Sequence, residues 1–71
     1  MSEVCKVTLR TWQRKDGRWG CEARLKGPGD RTSKITNTGL ATREVAEKAT
    51  NGDVNELINS MGWERKDEGT N

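Results

Sequence analysis

Histidine is absent from the 71-residue chain, and its absence weighs against most catalytic and metal-binding functions. Imidazole is the commonest general base in enzymes and the commonest metal ligand in proteins. The two cysteines, Cys5 and Cys21, form no C-x-x-C motif, so a zinc site is not expected either. We therefore predict a protein that is not an enzyme and that holds no metal or other cofactor.

Long hydrophobic runs are missing as well. No stretch approaches the ~20 apolar residues of a membrane span, and no apolar segment follows Met1 as it would in a secretory signal. We expect a cytoplasmic protein without a membrane partner, in which both cysteines are free thiols and small core residues. A chain of this length is typical of one small domain with a thin core, here placed at residues 1–63.

The first half of the chain shows the two-residue period of half-buried strands. Apolar and polar residues alternate over 5–10 and again over 18–26, and a weaker, threonine-rich run covers 31–38. A three-residue loop, 15–17, pairs Val7 with Leu25 and Leu9 with Ala23, whereas a two-residue turn would mix apolar and charged residues on each face. Gly17 then occupies the left-handed position of this loop, and the cluster 27–30 predicts the next turn.

The second half is predicted to be helical, from about Thr42, as the N-cap, to Ser60. Ala46, Ala49, Leu57 and Met61 form its apolar stripe, with Val54 and Ile58 at the margin. Gly52 could kink the helix, and Gly62 is a natural stop. Residues 64–71 are charged and predict a disordered tail. The expected fold is α+β: a three-stranded antiparallel sheet with one C-terminal helix packed on one face (β-β-β-α).

Charge is distributed unevenly along the chain. Residues 1–41 hold nine Lys/Arg and four Asp/Glu, whereas residues 42–71 hold four and seven. The predicted register leaves one sheet face uncovered, with seven cations and a single carboxylate, Glu22, which is expected to pair with Arg10 across the strands. A basic sheet face of three strands fits the ~12 Å major groove of B-form DNA. The predicted DNA-binding residues are Arg10, Trp12, Arg14, Lys15, Arg18, Arg24, Lys26, Lys34 and Thr36.

These residues are expected to have different tasks. Arg10, Arg24 and Lys34 lie at the centres of their strands, where base edges are reached. The residues near loops, where phosphates run, are Arg14, Lys15, Arg18 and Lys26, and Thr36 can bond a phosphate or meet a thymine methyl. Trp12 has two compatible interpretations: it stacks on a base or sugar, or it covers the bare backbone of Gly20 on the neighbouring strand.

Four short motifs carry a resemblance to a known family: WQRKDGRW at 12–19, EARLKGP at 22–28, SKI at 33–35 and GLATREVAEKA at 39–49. In this order they resemble the N-terminal arm-site DNA-binding domain of phage and transposon tyrosine recombinases (integrases), which is similar in fold to the plant ethylene-response-factor DNA-binding domain. The resemblance covers about residues 6–50. It implies that Arg10, Trp12, Arg14, Arg24 and Lys34 fall on strand positions that contact DNA.

The chain departs from that family in three respects. Leu40 replaces a frequent aromatic residue before Thr42, and Gly20 and Cys21 stand where aromatic residues are usual. As a third departure, we expect that no recombinase catalytic domain follows. The resemblance therefore implies a stand-alone module of phage or mobile-element origin that does not itself cut or join DNA. It would serve as an accessory, architectural or directionality factor, or it would be a remnant.

The predicted partner is double-stranded DNA, with a recombinase or another protein as a further candidate. In the alternative hypothesis, a small phage-type protein uses the same basic face to inhibit or modulate a protein partner, for example a host defence complex. RNA is a weaker candidate, because a sheet with one exposed aromatic residue is a poor platform for stacking single-stranded bases. The target sequence and the oligomeric state do not follow from the residues.

Overall fold

The computed structural model describes residues 3–70 and the side chains of residues 3–68. Its elements are β1 (Val4–Gln13), β2 (Trp19–Lys26), a short 3-10 turn (Pro28–Asp30), β3 (Thr32–Leu40), α1 (Arg43–Met61) and β4 (Glu64–Thr70). The strands form one sheet in the order β3-β2-β1-β4. The α+β class is confirmed, but the sheet has four strands rather than the expected three.

The first hairpin has the predicted register. Val7 pairs with Leu25, Leu9 with Ala23 and Thr11 with Cys21. In the connecting loop the Gly17 N–H donates to the Arg14 carbonyl at 3.0 Å, and Gly17 has a φ of 85°, as a type I turn followed by a left-handed residue requires. The turn after β2 is also confirmed, with positive φ at Gly29 and Asp30.

The helix begins and ends where its capping residues place it. The Val45 N–H donates to Thr42 Oγ1 at 3.1 Å, and Gly62 closes the last turn in the left-handed conformation with a φ of 71°. The helix continues through Gly52 without interruption.

The predicted apolar stripe of α1 is rotated in the structure. The buried positions are Ala46, Thr50, Val54 and Ile58, at strict four-residue spacing, while Met61 is exposed. The prediction that placed Val54 and Ile58 at the margin is therefore wrong. The predicted stripe does not include Thr50 because threonine is polar. In the structure, the Asn37 Nδ2–H donates to Thr50 Oγ1 at 3.0 Å, and this hydrogen bond allows Thr50 to be fully buried.

The predicted disordered tail is wrong for residues 64–70, which form β4 parallel to β1, while Asn71 lies outside the described residues. The guanidinium of Arg65 fastens this strand to the helix. It donates to Asn51 Oδ1 at 2.6 Å and Asn55 Oδ1 at 2.8 Å, and it bonds Asp67 within the strand. At the start of β4 the Trp63 indole packs on Gly27, where an added Cβ would lie 2.8 Å from the ring.

The helix covers the predicted side of the sheet. The core consists of Cys5, Val7, Leu9, Cys21, Ala23, Leu25, Ala46, Val54 and Ile58, and Trp19, Ile35, Leu40, Leu57 and Trp63 pack around it. Both cysteines are buried free thiols, as expected. Because side chains alternate along a strand, the cations of β1 and β2 lie on the other side, away from the helix.

Candidate nucleic-acid interface

The side of the sheet that α1 leaves uncovered is called here the open face. Strand register places its side chains in rows that cross the sheet. One row holds Lys66, Lys6, Lys26 and Thr32, the next holds Thr8, Arg24 and Lys34, and the third holds Arg10, Glu22 and Thr36. A fourth row pairs Trp12 with Gly20, and successive rows lie about 7 Å apart along the strands.

Glu22 stands near the centre of the open face and orients Arg24. The Arg24 Nε–H donates to Glu22 Oε1 at 2.9 Å, and neither Nη of Arg24 has a partner among the described residues. The Glu22 side chain is 16% exposed whereas that of Arg24 is 71% exposed. The carboxylate thus holds one edge of the guanidinium, and the two Nη groups remain available to a ligand.

The hydrogen bond from Arg24 is the main reason why the pKa of Glu22 lies below its ordinary value of 4.5. Partial desolvation opposes this shift, and the positive charges of Lys34, Arg24 and Arg10 reinforce it. Glu22 is therefore ionised at neutral pH, and it lowers the positive potential at the centre of the face.

The expected ion pair between Arg10 and Glu22 is not formed. The two residues are cross-strand partners, as predicted, but Glu22 bonds Arg24, which lies two residues further along the same strand and on the same face. Arg10 makes no ion pair with any residue that the structure describes, so its donors remain free. Lys34 and Lys26 are likewise unpaired within the described chain and, like Thr36, are exposed.

Cations stand directly beside cations on neighbouring strands. Arg24 pairs with Lys34, and Lys6 pairs with Lys26 on one side and Lys66 on the other. Like charges in such positions destabilise a sheet. These rows border an open depression of about 750 Å³, to which Thr8 and Thr32 also contribute. The arrangement favours an anionic ligand.

Trp12 lies on the backbone of Gly20, as one of its two interpretations requires. A Cβ added at Gly20 would stand 2.5 Å from Trp12 Cε2 and 2.8 Å from Nε1. The indole is half-buried, so a part of the ring remains accessible on the open face. Covering Gly20 is thus a structural role of Trp12, and contact with a ligand remains a prediction.

The cations at the turn between β1 and β2 lie at the end of the sheet opposite to Lys6 and Lys26. The Arg18 Nη1–H donates to the Gly39 carbonyl at 3.2 Å, and Arg14 Nη2 lies 3.4 Å from Asp16 Oδ2. Lys15 is in the turn between them and makes no ion pair with the described residues. These three residues form a separate positive cluster, several rows away from Lys26 and Lys34.

The fourth strand adds candidate site residues that the sequence interpretation missed. Lys66 stands on the open face beside Lys6, and Glu68 Oε1 lies 3.5 Å from Lys6 Nζ. Glu64 lies on the same face, so the expected single carboxylate becomes three: Glu22, Glu64 and Glu68. The mixture of positive and negative residues over 64–68 was the available signal, but without apolar residues it is equally typical of a disordered tail.

Metal-binding clusters and membrane-spanning helices are both absent from residues 3–70. No group of three or more cysteine or acidic side chains there is placed to hold a metal ion. Among the same residues, no helix combines the length and the apolar composition that a bilayer span needs.

No family model, curated protein or solved structure matches this chain.

Proposed function

We propose that the protein binds double-stranded DNA, with a sequence preference, by docking the open face of its sheet in the major groove. The observation that carries the proposal is the position of α1. It covers the opposite face of the sheet and leaves Arg10, Arg24 and Lys34 exposed. Apart from the Arg24 Nε–H, which Glu22 accepts, their side-chain donors have no partner among the described residues. No catalytic step is part of this function.

Base recognition is assigned to the two central rows of the open face. Arginine reads guanine by donating two hydrogen bonds to O6 and N7. Arg24 suits this task because Glu22 fixes its Nε edge and leaves both Nη groups free. Arg10 and Lys34 flank it, and Thr36 has a methyl group for thymine and a hydroxyl for phosphate.

The outer parts of the face are assigned to the DNA backbone. Lys26 lies at one end, and Arg14, Lys15 and Arg18 form the cluster at the other. Lysine and arginine that neutralise phosphates release counterions, which supplies much of the affinity and makes it fall with salt. Trp12, between the two ends, would pack the exposed part of its ring on a sugar or base.

The fourth strand limits how the sheet can enter the groove. Strands lie about 4.8 Å apart, so the axes of three strands span about 10 Å and those of four about 14 Å. The major groove is about 12 Å wide. The proposal therefore places β1–β3 in the groove and β4, with its mixed charge, at the rim near one phosphate backbone.

The resemblance to the arm-site domains of tyrosine recombinases supports the same assignment. It covers the segment that contains β1–β3 and the first turns of α1, and β4 lies beyond it. On this basis we propose a phage or mobile-element origin, with a recombinase as a second partner on the DNA.

The test is a binding titration with variants from both sides of the molecule. Fluorescence anisotropy with random and selected duplexes, at several salt concentrations, measures affinity, preference and salt dependence. Arg24→Gln should weaken binding to the preferred duplex by about 1–3 kcal/mol and reduce the preference at one base pair. Lys48→Gln, at an exposed position of α1, is the matched control and should change neither.

One observation favours a second candidate, an acidic surface of a protein partner. The four-stranded sheet is wider than the groove, and its open face includes the carboxylates of Glu64 and Glu68, which repel phosphates. A protein surface needs no groove and can match both signs of charge. Absence of duplex binding by the wild type at low salt would leave this candidate and refute the first.

A further inference from the structure

Three lysines stand side by side at one end of the open face. Lys66 of β4 is in register with Lys6 of β1, and Lys6 is in register with Lys26 of β2. Neighbouring strands lie about 4.8 Å apart, so the three stems cover about 10 Å. We call these residues the lysine row.

The three positive charges of the lysine row are not balanced by the carboxylates around it. Glu68 is its nearest carboxylate, 3.5 Å from Lys6 Nζ, and both side chains are substantially exposed. Lys26 and Lys66 have no ion pair within residues 3–68. Ammonium groups in direct cross-strand positions repel one another, so a multivalent anion that bridges them would relieve the repulsion.

The surroundings of the row suit a phosphate group. The open depression of about 750 Å³ beside it is lined by Lys6, Lys26 and Glu68, by Thr32, and by the neighbouring cations Arg24 and Lys34. Lysine acts on phosphate as a compact, flexible point charge, whereas the planar fork of arginine is preorganised for bidentate contacts.

We propose that Lys66, Lys6 and Lys26 form a phosphate-binding row, and that Glu68 takes the place of the anion in the free protein. When a phosphate arrives, Lys6 exchanges the exposed carboxylate for it. The identification of this phosphate as part of a DNA backbone rests on the proposed function. The row itself depends only on the register of β4, β1 and β2.

Two variants and one control test the row. Lys66→Gln removes a cation from it, Glu68→Gln removes the competing carboxylate, and Lys48→Gln removes a lysine on α1. With duplex DNA, Lys66→Gln should lower the slope of log affinity against log salt by about 0.9. Glu68→Gln should raise the affinity at a given salt concentration, and Lys48→Gln should alter neither quantity.

A second measurement needs no DNA. Pyrophosphate should raise the unfolding temperature of the wild type above its value in sodium chloride of equal ionic strength. The gain should be smaller in Lys66→Gln and unchanged in Lys48→Gln. Free Lys66→Gln should be at least as stable as the wild type at low salt, because one repulsive pair has been removed, so a failure to fold is not expected.

The outcomes separate this inference from the proposed function. If the wild type binds duplex DNA and Lys66→Gln retains the full salt slope, the row is refuted and the proposed function stands. If pyrophosphate stabilises the protein through Lys66 but no duplex binds, the row stands with free phosphate compounds as ligands, and the proposed function fails. The phosphate-binding role of the row is refuted if pyrophosphate does not raise the unfolding temperature and Lys66→Gln either keeps the wild-type salt slope or no duplex binding is measured.

Discussion

Arg65→Met should loosen β4 from the rest of the fold. Arg65 points to the helix side, is 22% exposed, and donates to the side-chain oxygens of Asn51 and Asn55 at 2.6 and 2.8 Å. Methionine keeps most of the aliphatic stem and deletes every donor. The change therefore removes the hydrogen bonds between β4 and α1 with little loss of packing.

The expected cost follows from these contacts. A hydrogen bond from a charged donor contributes about 1.5–3 kcal/mol. Because the Arg65 guanidinium retains some contact with water, the lower end applies to the two asparagine bonds, which gives about 3 kcal/mol together. The ion pair with Asp67, whose side chain is 66% exposed, adds only about 0–1 kcal/mol. The total free energy of unfolding of a domain of this size is ~5–10 kcal/mol, so the loss would be a large fraction of it.

Amide hydrogen exchange is the assay that locates the effect. Protection of the β4 amides should fall first and furthest, because local opening of an edge strand needs less free energy than global unfolding. Urea unfolding gives the total change. Lys66→Met, at the neighbouring position on the open face, is the control and should leave β4 protected. If the β4 amides of Arg65→Met exchange as slowly as those of the wild type, Arg65 is not the anchor.

Three further predictions concern stability. Gly52→Ala should stabilise the protein by about 1 kcal/mol, or about 4–8 °C in unfolding temperature, because Gly52 lies inside a continuous helix with nothing within 4 Å of an added Cβ; a loss of stability would mean that the helix is broken there. Gly20→Ala should destabilise it by about 1–3 kcal/mol and shift tryptophan fluorescence, since the new methyl displaces the Trp12 ring; unchanged fluorescence would contradict the stacked geometry. Glu22 has a lowered pKa in the fold, so its contribution is complete above the ordinary value of 4.5 and is lost as pH falls through the folded pKa. The wild type should therefore exceed Glu22→Gln in stability at pH 7, and the gap should close in acid; a gap that is independent of pH would contradict the hydrogen bond to Arg24.

The register of the first hairpin and the directions of its side chains could be predicted because both follow from the burial of apolar residues on one face of the sheet. A slip of one residue between β1 and β2 would move Val7 and Leu9 to the solvent side, so only one register buries them. Gly17 supports that register independently, through the left-handed conformation that the three-residue loop needs. The position of the cations on the open face follows from the same alternation.

The fourth strand could not be predicted because its stabilising contacts are polar and distant along the chain. The helix-side positions of β4 are Arg65 and Asp67, and the partners of Arg65, Asn51 and Asn55, are ordinary exposed helix residues in the sequence. The spacing of apolar residues along the sequence does not predict such polar contacts. The partner of Glu22 was missed for a related reason, because Arg10 and Arg24 are both near and only the side-chain torsions decide between them.

The two sides of β4 connect the stability of the fold to the proposed binding. Arg65 reaches the helix on one side of the sheet, and Lys66, the next residue, completes the lysine row on the other. Lys66 stands beside Lys6 only while β4 is paired with β1, so the contact between Arg65 and the asparagines also positions a lysine that faces the opposite way. Arg65→Met should therefore reduce the salt slope of DNA binding as Lys66→Gln does, although Arg65 lies behind the sheet. A phosphate bound at the row should in turn protect β4 from hydrogen exchange, because a ligand that requires the paired strand stabilises it.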